Sequence, residues 1–309
     1  MQLNLLVSLV LGIVLINLYF LVAKKFEIVD KPNKRSSHLE PTLRGGGILF
    51  PLLFIGMSLY QHWMHGNILH VWFLVGLFLI AGISFWDDVK TLSPMIRVLV
   101  HVTAVGMMFW QTGILHFHFF TILIAFILVI GSINAYNFMD GINGITGMYS
   151  IVVVGTLYYL MPNLGLEYVL MALVIFGFYN FRKRAICFGG DVGSVSLAFI
   201  VAFGICKLMV DTGNLKWILL LGVYGIDAVV TIIYRLSRKE NIFKPHRTHL
   251  YQYLANERNM GHLSVSLIYA ITQLGLNVIV VSNGFTMGLV AFAFIALMYM
   301  VLRLRLKLD

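Results

Sequence analysis

Apolar runs of about 17 to 22 residues alternate with short polar intervals along the whole chain, the length a helix needs to cross a bilayer's ~30 Å hydrocarbon core at ~1.5 Å per residue. The pattern predicts eleven spans, near residues 3–23, 46–62, 68–86, 95–112, 118–137, 145–161, 165–181, 193–211, 216–234, 263–282 and 285–302. No polar interval is long enough for a separate soluble domain. Residues 1–309 therefore read as one integral-membrane domain, an all-α bundle of transmembrane helices. The intervals at 61–67, 113–118 and 162–167 carry little chemistry. Those on the other side carry most of it.

Composition agrees with a polytopic membrane protein. Hydrophobic residues make up 60% and charged residues 11%, with a mean hydropathy of +0.89, too apolar for a soluble domain of this size. The first run lacks a basic leader and a small-residue cleavage site, and Lys24-Lys25 follow it, so it is expected to span rather than to be cleaved. Cys187 and Cys206 are too few for a disulfide framework and are expected as free thiols. A net charge of +9 would suit nucleic acid, but of the 22 Lys and Arg only Lys207 and Lys216 lie off one side. By the positive-inside rule that side is cytoplasmic, with the N-terminus outside and the C-terminus inside. The charge then faces the anionic surface of the lipid bilayer, and no nucleic acid is called for.

The densest chemistry lies in residues 134–147. Asn134, Asn137 and Asp140 recur every third residue, so successive members are neighbours on a helix, and Gly141, Gly144 and Gly147 then loosen the backbone. Carboxylate and amide oxygens suit a hard cation such as Mg²⁺, which binds one or two carboxylates plus substrate phosphates. A glycine-closed helix end with amide caps would look the same.

Four further clusters share that side. Arg44-Gly45-Gly46-Gly47 end a basic loop; they either offer backbone N–H groups to an anion or close a solvated loop. Asp87-Asp88 end the third span before Pro94 opens the fourth, and two adjacent carboxylates call for a cation or a raised pKa unless they form a polar turn. Gly189-Gly190-Asp191-Val192-Gly193-Ser194 opens the eighth span. There Asp191 either caps the helix or presents a carboxylate where phosphate is also favoured. The last loop holds Lys244, His246, Arg247, His249, Tyr251 and Gln252; two His three apart without Cys make a poor zinc site, so the group reads as a cluster for phosphate or sugar hydroxyls. Asp227, inside the ninth span, needs a partner or a wet groove. With no internal repeat, this one-sided arrangement predicts an active site on the cytoplasmic face rather than a midplane transport site.

In order and spacing, the glycine run, Asp87-Asp88, Asn134-x-x-Asn137-x-x-Asp140-Gly-x-Asn143-Gly, Gly190-Asp191-Val-Gly-Ser and the His-containing loop resemble the polyprenyl-phosphate N-acetylhexosamine-1-phosphate transferases, glycosyltransferase family 4. The likeness covers nearly the whole chain. It implies transfer of an N-acetylated sugar phosphate from a UDP-sugar to undecaprenyl phosphate in a bacterial inner membrane, releasing UMP, with Mg²⁺ or alternatively Mn²⁺, and it leaves room for a homodimer. On that basis Asp191 and Asp140 are expected to hold the metal, and Asp87, Asp88, Asp140 and His249 to be catalytic. Arg44, Gly46, Asn134, Asn137, Asn143, Lys244, His246, Arg247, Tyr251 and Gln252 are expected to bind substrates.

Two departures bear on the branch. Tyr251 and Gln252 stand where the peptidoglycan and enterobacterial-common-antigen branches have His, which resembles the O-antigen branch with its 6-deoxy sugars such as FucNAc or QuiNAc. Asn143 stands where some relatives have Asp. The alternatives are a muramyl-pentapeptide or GlcNAc-1-phosphate transferase of the same family, an intramembrane prenyltransferase, and a non-enzymatic lipid carrier. A prenyltransferase would need a second Asp-rich loop that Gly190-Asp191-Val-Gly-Ser does not match, and a carrier has no reason to gather five polar clusters on one face.

Overall fold

The computed structural model describes residues 2–32, 37, 40–241 and 247–306. Among them the chain forms eleven helices: α1 (Gln2–Lys25), α2 (Leu49–His65), α3 (Val71–Val89), α4 (Pro94–Thr112), α5 (Phe119–Met139), α6 (Ile145–Leu160), α7 (Leu166–Asn180), α8 (Gly190–Thr212), α9 (Gly222–Ser237), α10 (Leu250–Asn256) and α11 (His262–Arg305). Every expected span meets a helix or half of one. Six apolar segments are long enough to cross a membrane by length and composition, namely α1, α3, α5, α8, the Leu215–Ser237 run and α11; α6 and α7 are shorter apolar helices. The 44 residues of α11 divide at Gly284, whose φ of 82° and ψ of −170° interrupt the helix between the last two expected spans.

Helix α8 is the axis of the bundle. Its residues from Val192 to Cys206 are all buried, and α2, α3, α4, α5 and α6 pack around it. The Phe73 ring on α3 stacks on Phe203 at 3.8 Å and on Phe199 at 5.5 Å. The outer faces are the reverse of a soluble surface, with Leu18, Phe78, Ile127 and Val290 exposed, as expected where lipid is the solvent.

Without a hydrophobic force between helices in lipid, close packing and hydrogen bonds do the joining. One polar ladder crosses the interior. The Gln273 side chain accepts from the Tyr149 hydroxyl (2.8 Å) and the Val223 N–H (2.9 Å), and donates to the Leu219 carbonyl (3.1 Å) and Asn277 (2.6 Å). Leu219 and Val223 flank the junction between a 3₁₀ segment, Leu215–Leu221, and α9, where a tight turn gives way to α-helix.

The basic loop after α1 is less free than its composition suggests. Two short strands, β1 (Val29–Asp30) and β2 (Thr42–Leu43), pair antiparallel, and Leu43 also bridges to Cys187. That bridge brings the glycine run against the start of α8.

Candidate active site

The Gly47 N–H donates to the Gly189 carbonyl and the Gly46 N–H to the Phe188 carbonyl, both at 3.0 Å. A Cβ on Gly47 would lie 2.7 Å from the Gly189 carbonyl oxygen and would overlap the Gly193 Cα. The two glycine motifs are therefore mutual docking surfaces. This corrects the expectation for Gly46: its N–H is committed to the chain and is not presented to an anion.

Docking sets Arg44 against two acids. Its Nε lies 2.6 Å from Asp88 Oδ1, and its Nη2 2.8 Å from Asp191 Oδ1. Asp88, whose side chain is fully buried, also accepts the N–H groups of Asp191 (2.9 Å) and Val192 (3.0 Å). It, and not Asp191, satisfies the open amides at the start of α8. The Asp191 carboxylate points the other way, toward Arg97 Nη2 at 3.4 Å and Asn137 Nδ2 at 3.5 Å. Asp87 accepts from Arg97 (2.8 Å) and from the Leu92 N–H (2.8 Å).

Beside this cluster a polar cavity of about 370 Å³ is lined by Arg44, Asn137, Asp140, Asp191, Gln252 and His262, among others. Asp140 closes α5, and burial, with the Asp191 charge added, pushes its carboxyl up to about 6. Among the described residues no three His, Cys, Asp or Glu converge to hold a metal. Asp140 and Asp191 offer two hard oxygen groups instead, which fits an ion completed by substrate phosphate. Asn137 supports them, its NH₂ toward Asp191 and its oxygen accepting from the Ser194 hydroxyl at 2.8 Å.

Residues 70–209 match the sequence pattern of glycosyl transferase family 4, a stretch that holds Asp87, Asp88, Arg97, Asn137, Asp140 and Asp191. The chain is 27% identical over 277 residues to a probable undecaprenyl-phosphate N-acetylglucosaminyl 1-phosphate transferase of Bacillus subtilis, covering 81% of this chain and 76% of that one. The chain is thus similar to members of glycosyl transferase family 4. Two further similarities agree. One is to an undecaprenyl-phosphate alpha-N-acetylglucosaminyl 1-phosphate transferase of Thermotoga maritima, 26% identical over 85% of this chain and 84% of the relative. The other is to a phospho-N-acetylmuramoyl-pentapeptide-transferase of Streptococcus thermophilus, 27% identical over 62% of this chain and 56% of the relative.

Several expected ligands do other work in this chain. Asn134 is exposed on α5, one turn from Asn137 and outside the cavity lining. The Asn143 amide lines the cavity but donates to the Arg182 (2.8 Å) and Lys183 (3.3 Å) carbonyls, tying the 140–144 turn to the next loop. Tyr251 is fully buried beneath Gly141 and donates to the Phe138 carbonyl at 2.8 Å, so it faces the backbone and not a sugar. His249, 3% exposed, is bonded to Asp227 at 2.8 Å, away from the cavity surface. Of the expected loop residues, Gln252 lines the cavity and Arg247 lies partly buried near Tyr251. Lys244 and His246 lie outside the described residues.

Three residues that the motifs did not single out belong to the site: Arg97, Asn180 and His262. Asn180 accepts the Gly144 N–H (2.8 Å) and donates to the Cys187 carbonyl (2.9 Å). His262 lines the cavity and takes the Asn143 N–H at 3.5 Å. Arg97 had one visible sign, a lone cation in the first turn after Pro94.

Proposed function

We propose that this chain transfers an N-acetylhexosamine-1-phosphate from a UDP-sugar to undecaprenyl phosphate, releasing UMP, at the cytoplasmic face of a bacterial inner membrane. The observation that carries the reading is Asp191, held at the first turn of a buried helix between two guanidiniums and across a polar cavity from Asp140. Acids and arginines so interleaved suit a reaction in which every partner is a phosphate.

Asp140 and Asp191 would hold Mg²⁺, or Mn²⁺ in its place, which when bound supplies neutralisation of the leaving diphosphate. Everything else falls to the chain. Arg44, which lines the cavity, favours the donor phosphates. Arg97, paired with Asp87 at the start of α4, receives the phosphate of the acceptor lipid, whose tail stays in the bilayer. That phosphate is a competent nucleophile at neutral pH, since its second pKa is ~6. One of its oxygens attacks the sugar-bearing phosphorus, the bond from that phosphorus to the bridging oxygen breaks, and UMP leaves with the bridging oxygen. Asp88 is taken up by Arg44 and the α8 amides, and Asp87 serves the acceptor end by orienting Arg97, to which it is paired.

The difference that suggested a 6-deoxy donor rests on Tyr251 and Gln252. Tyr251 is turned to the backbone and, of the two, Gln252 alone lines the cavity, so the donor is an N-acetylhexosamine without narrowing to a 6-deoxy sugar. The test is UMP release by the enzyme in nanodiscs from UDP-GlcNAc, UDP-FucNAc and UDP-QuiNAc, with and without undecaprenyl phosphate. Lipid-dependent release from at least one donor is expected. No release from any of them would sink the reading.

A further inference from the structure

Asp227 is wholly buried in α9 and gathers donors from separate elements. His249 Nδ1 lies at 2.8 Å, the Tyr269 hydroxyl at 2.5 Å, the Tyr299 hydroxyl at 3.0 Å and the Thr231 hydroxyl at 3.3 Å. Tyr269 and Tyr299 lie on opposite sides of the Gly284 break in α11. Arg303 donates to Thr231 (3.0 Å) and Tyr299 (3.2 Å), so its charge reaches the carboxylate through hydroxyls. An ionised carboxylate only accepts, which places the His249 proton on Nδ1.

His249 in turn begins α10, and the Gln252 side chain reaches back to accept the His249 N–H at 3.4 Å. The same short helix contributes Tyr251, whose hydroxyl holds the Phe138 carbonyl two residues before Asp140, and Gln252, which lines the cavity. The acceptor end is built separately. Asp87 and Arg97 stand on α3 and α4, which pack on each other and on α8.

We propose that Asp227, acting through His249, is a positioning residue for the transfer: it fixes α10 and so the wall of the cavity that the donor sugar meets. The inference rests on the function proposed above. Neither residue lines the cavity. Because the latch serves one wall only, its loss is felt by one substrate.

Steady-state kinetics in nanodiscs, varying UDP-GlcNAc and undecaprenyl phosphate separately, reads this directly. Asp227→Asn is expected to raise the donor KM roughly 10-fold while the acceptor KM stays within about twofold. His249→Gln, which breaks the contact from the other side, is expected to give the same split. The double variant should be no worse than either single, because both remove one coupling. Tyr299→Phe, which removes an Asp227 contact remote from α10, should lower thermal stability without moving the donor KM. Calorimetry of UDP-GlcNAc binding reads the same wall without turnover. A wild type that binds UDP-GlcNAc but releases no UMP would overturn the proposed function and leave the latch measurable. Unchanged KM for both substrates, with only less active protein, would make the pair a structural anchor and overturn the proposal. Should Asp227→Asn not fold, His249→Gln decides.

Discussion

Asp88 accepts the Asp191 amide at 2.9 Å while the Asp191 carboxylate turns to Arg44 at 2.8 Å. Two acids at one helix end thus have opposite duties, one holding the backbone and the other facing the cavity. Substitutions should separate them. Asp191→Asn is expected to lose activity by roughly 10²–10³-fold, the scale of one lost electrostatic contact to a transition state, with the folded yield unchanged. Asp88→Asn should also unfold more easily, by about 1–3 kcal/mol for a buried amide pair left partly unmet. Thermal unfolding in nanodiscs measures the second effect, and a wild-type melting curve would contradict the capping role.

Removing divalent ions with EDTA should stop UMP release, and Mg²⁺ or Mn²⁺ should restore it in the wild type. Restoration in Asp191→Asn to wild-type turnover would take that carboxylate out of the metal site.

At Gly190, φ is +73° and an added Cβ would press on the Asp88 carboxylate and lie 2.9 Å from the Gly45 Cα. Gly190→Ala should therefore combine a left-handed backbone penalty of ~1–2 kcal/mol with displacement of the glycine loop, and lose most activity. Gly155→Ala, with open space around the added carbon, is the matched control and should behave as wild type in both assays.

Sugar choice should follow Gln252 and not Tyr251. Gln252→Ala is expected to change the ranking of UDP-sugars, since hydrogen-bonding groups discriminate hydroxyl patterns. Tyr251→Phe should cost about 1 kcal/mol of stability and shift all donors together. A donor panel on both variants decides, and a reordered ranking in Tyr251→Phe would return that residue to the sugar.

Burial pushes the Cys187 thiol up to about 12. Since only the thiolate is nucleophilic, a raised pKa means a protonated, inert thiol throughout the neutral range, with reactivity gained only as pH climbs toward 12. Maleimide labelling at pH 7–8 should leave Cys187 unmodified until the protein is denatured. Rapid labelling of the folded protein would contradict the tight seat of Cys187 against Gly46.

Much of this was legible beforehand. The spans follow from run length alone, and even the division of the last helix is marked by Ser282-Asn283-Gly284. Asp191, Asp140 and Asn137 could be picked out because polar groups at membrane ends are rare and need a reason. What failed were pairings between distant stretches. Nothing near His249 reveals that Asp227 meets it from inside the bundle, or near Gly46 that Phe188 takes its N–H. The 3₁₀ segment before α9 was hidden too, because an apolar run reads alike in either helix form.

The Gln273 ladder implies an order of assembly. Until α11 is in place, the Leu219 carbonyl and Val223 N–H that it serves stand at a helix junction in lipid, where an unmet backbone group costs several kcal/mol. A nascent chain halted after α9 is thus an incomplete membrane protein that still needs a partner for that junction. C-terminal truncations ending before residue 273 should be retained at the insertion machinery or cleared by membrane proteases, even though α1 to α8 are already made. A span made near the end of synthesis, before the Gly284 break, completes a helix junction made some fifty residues earlier.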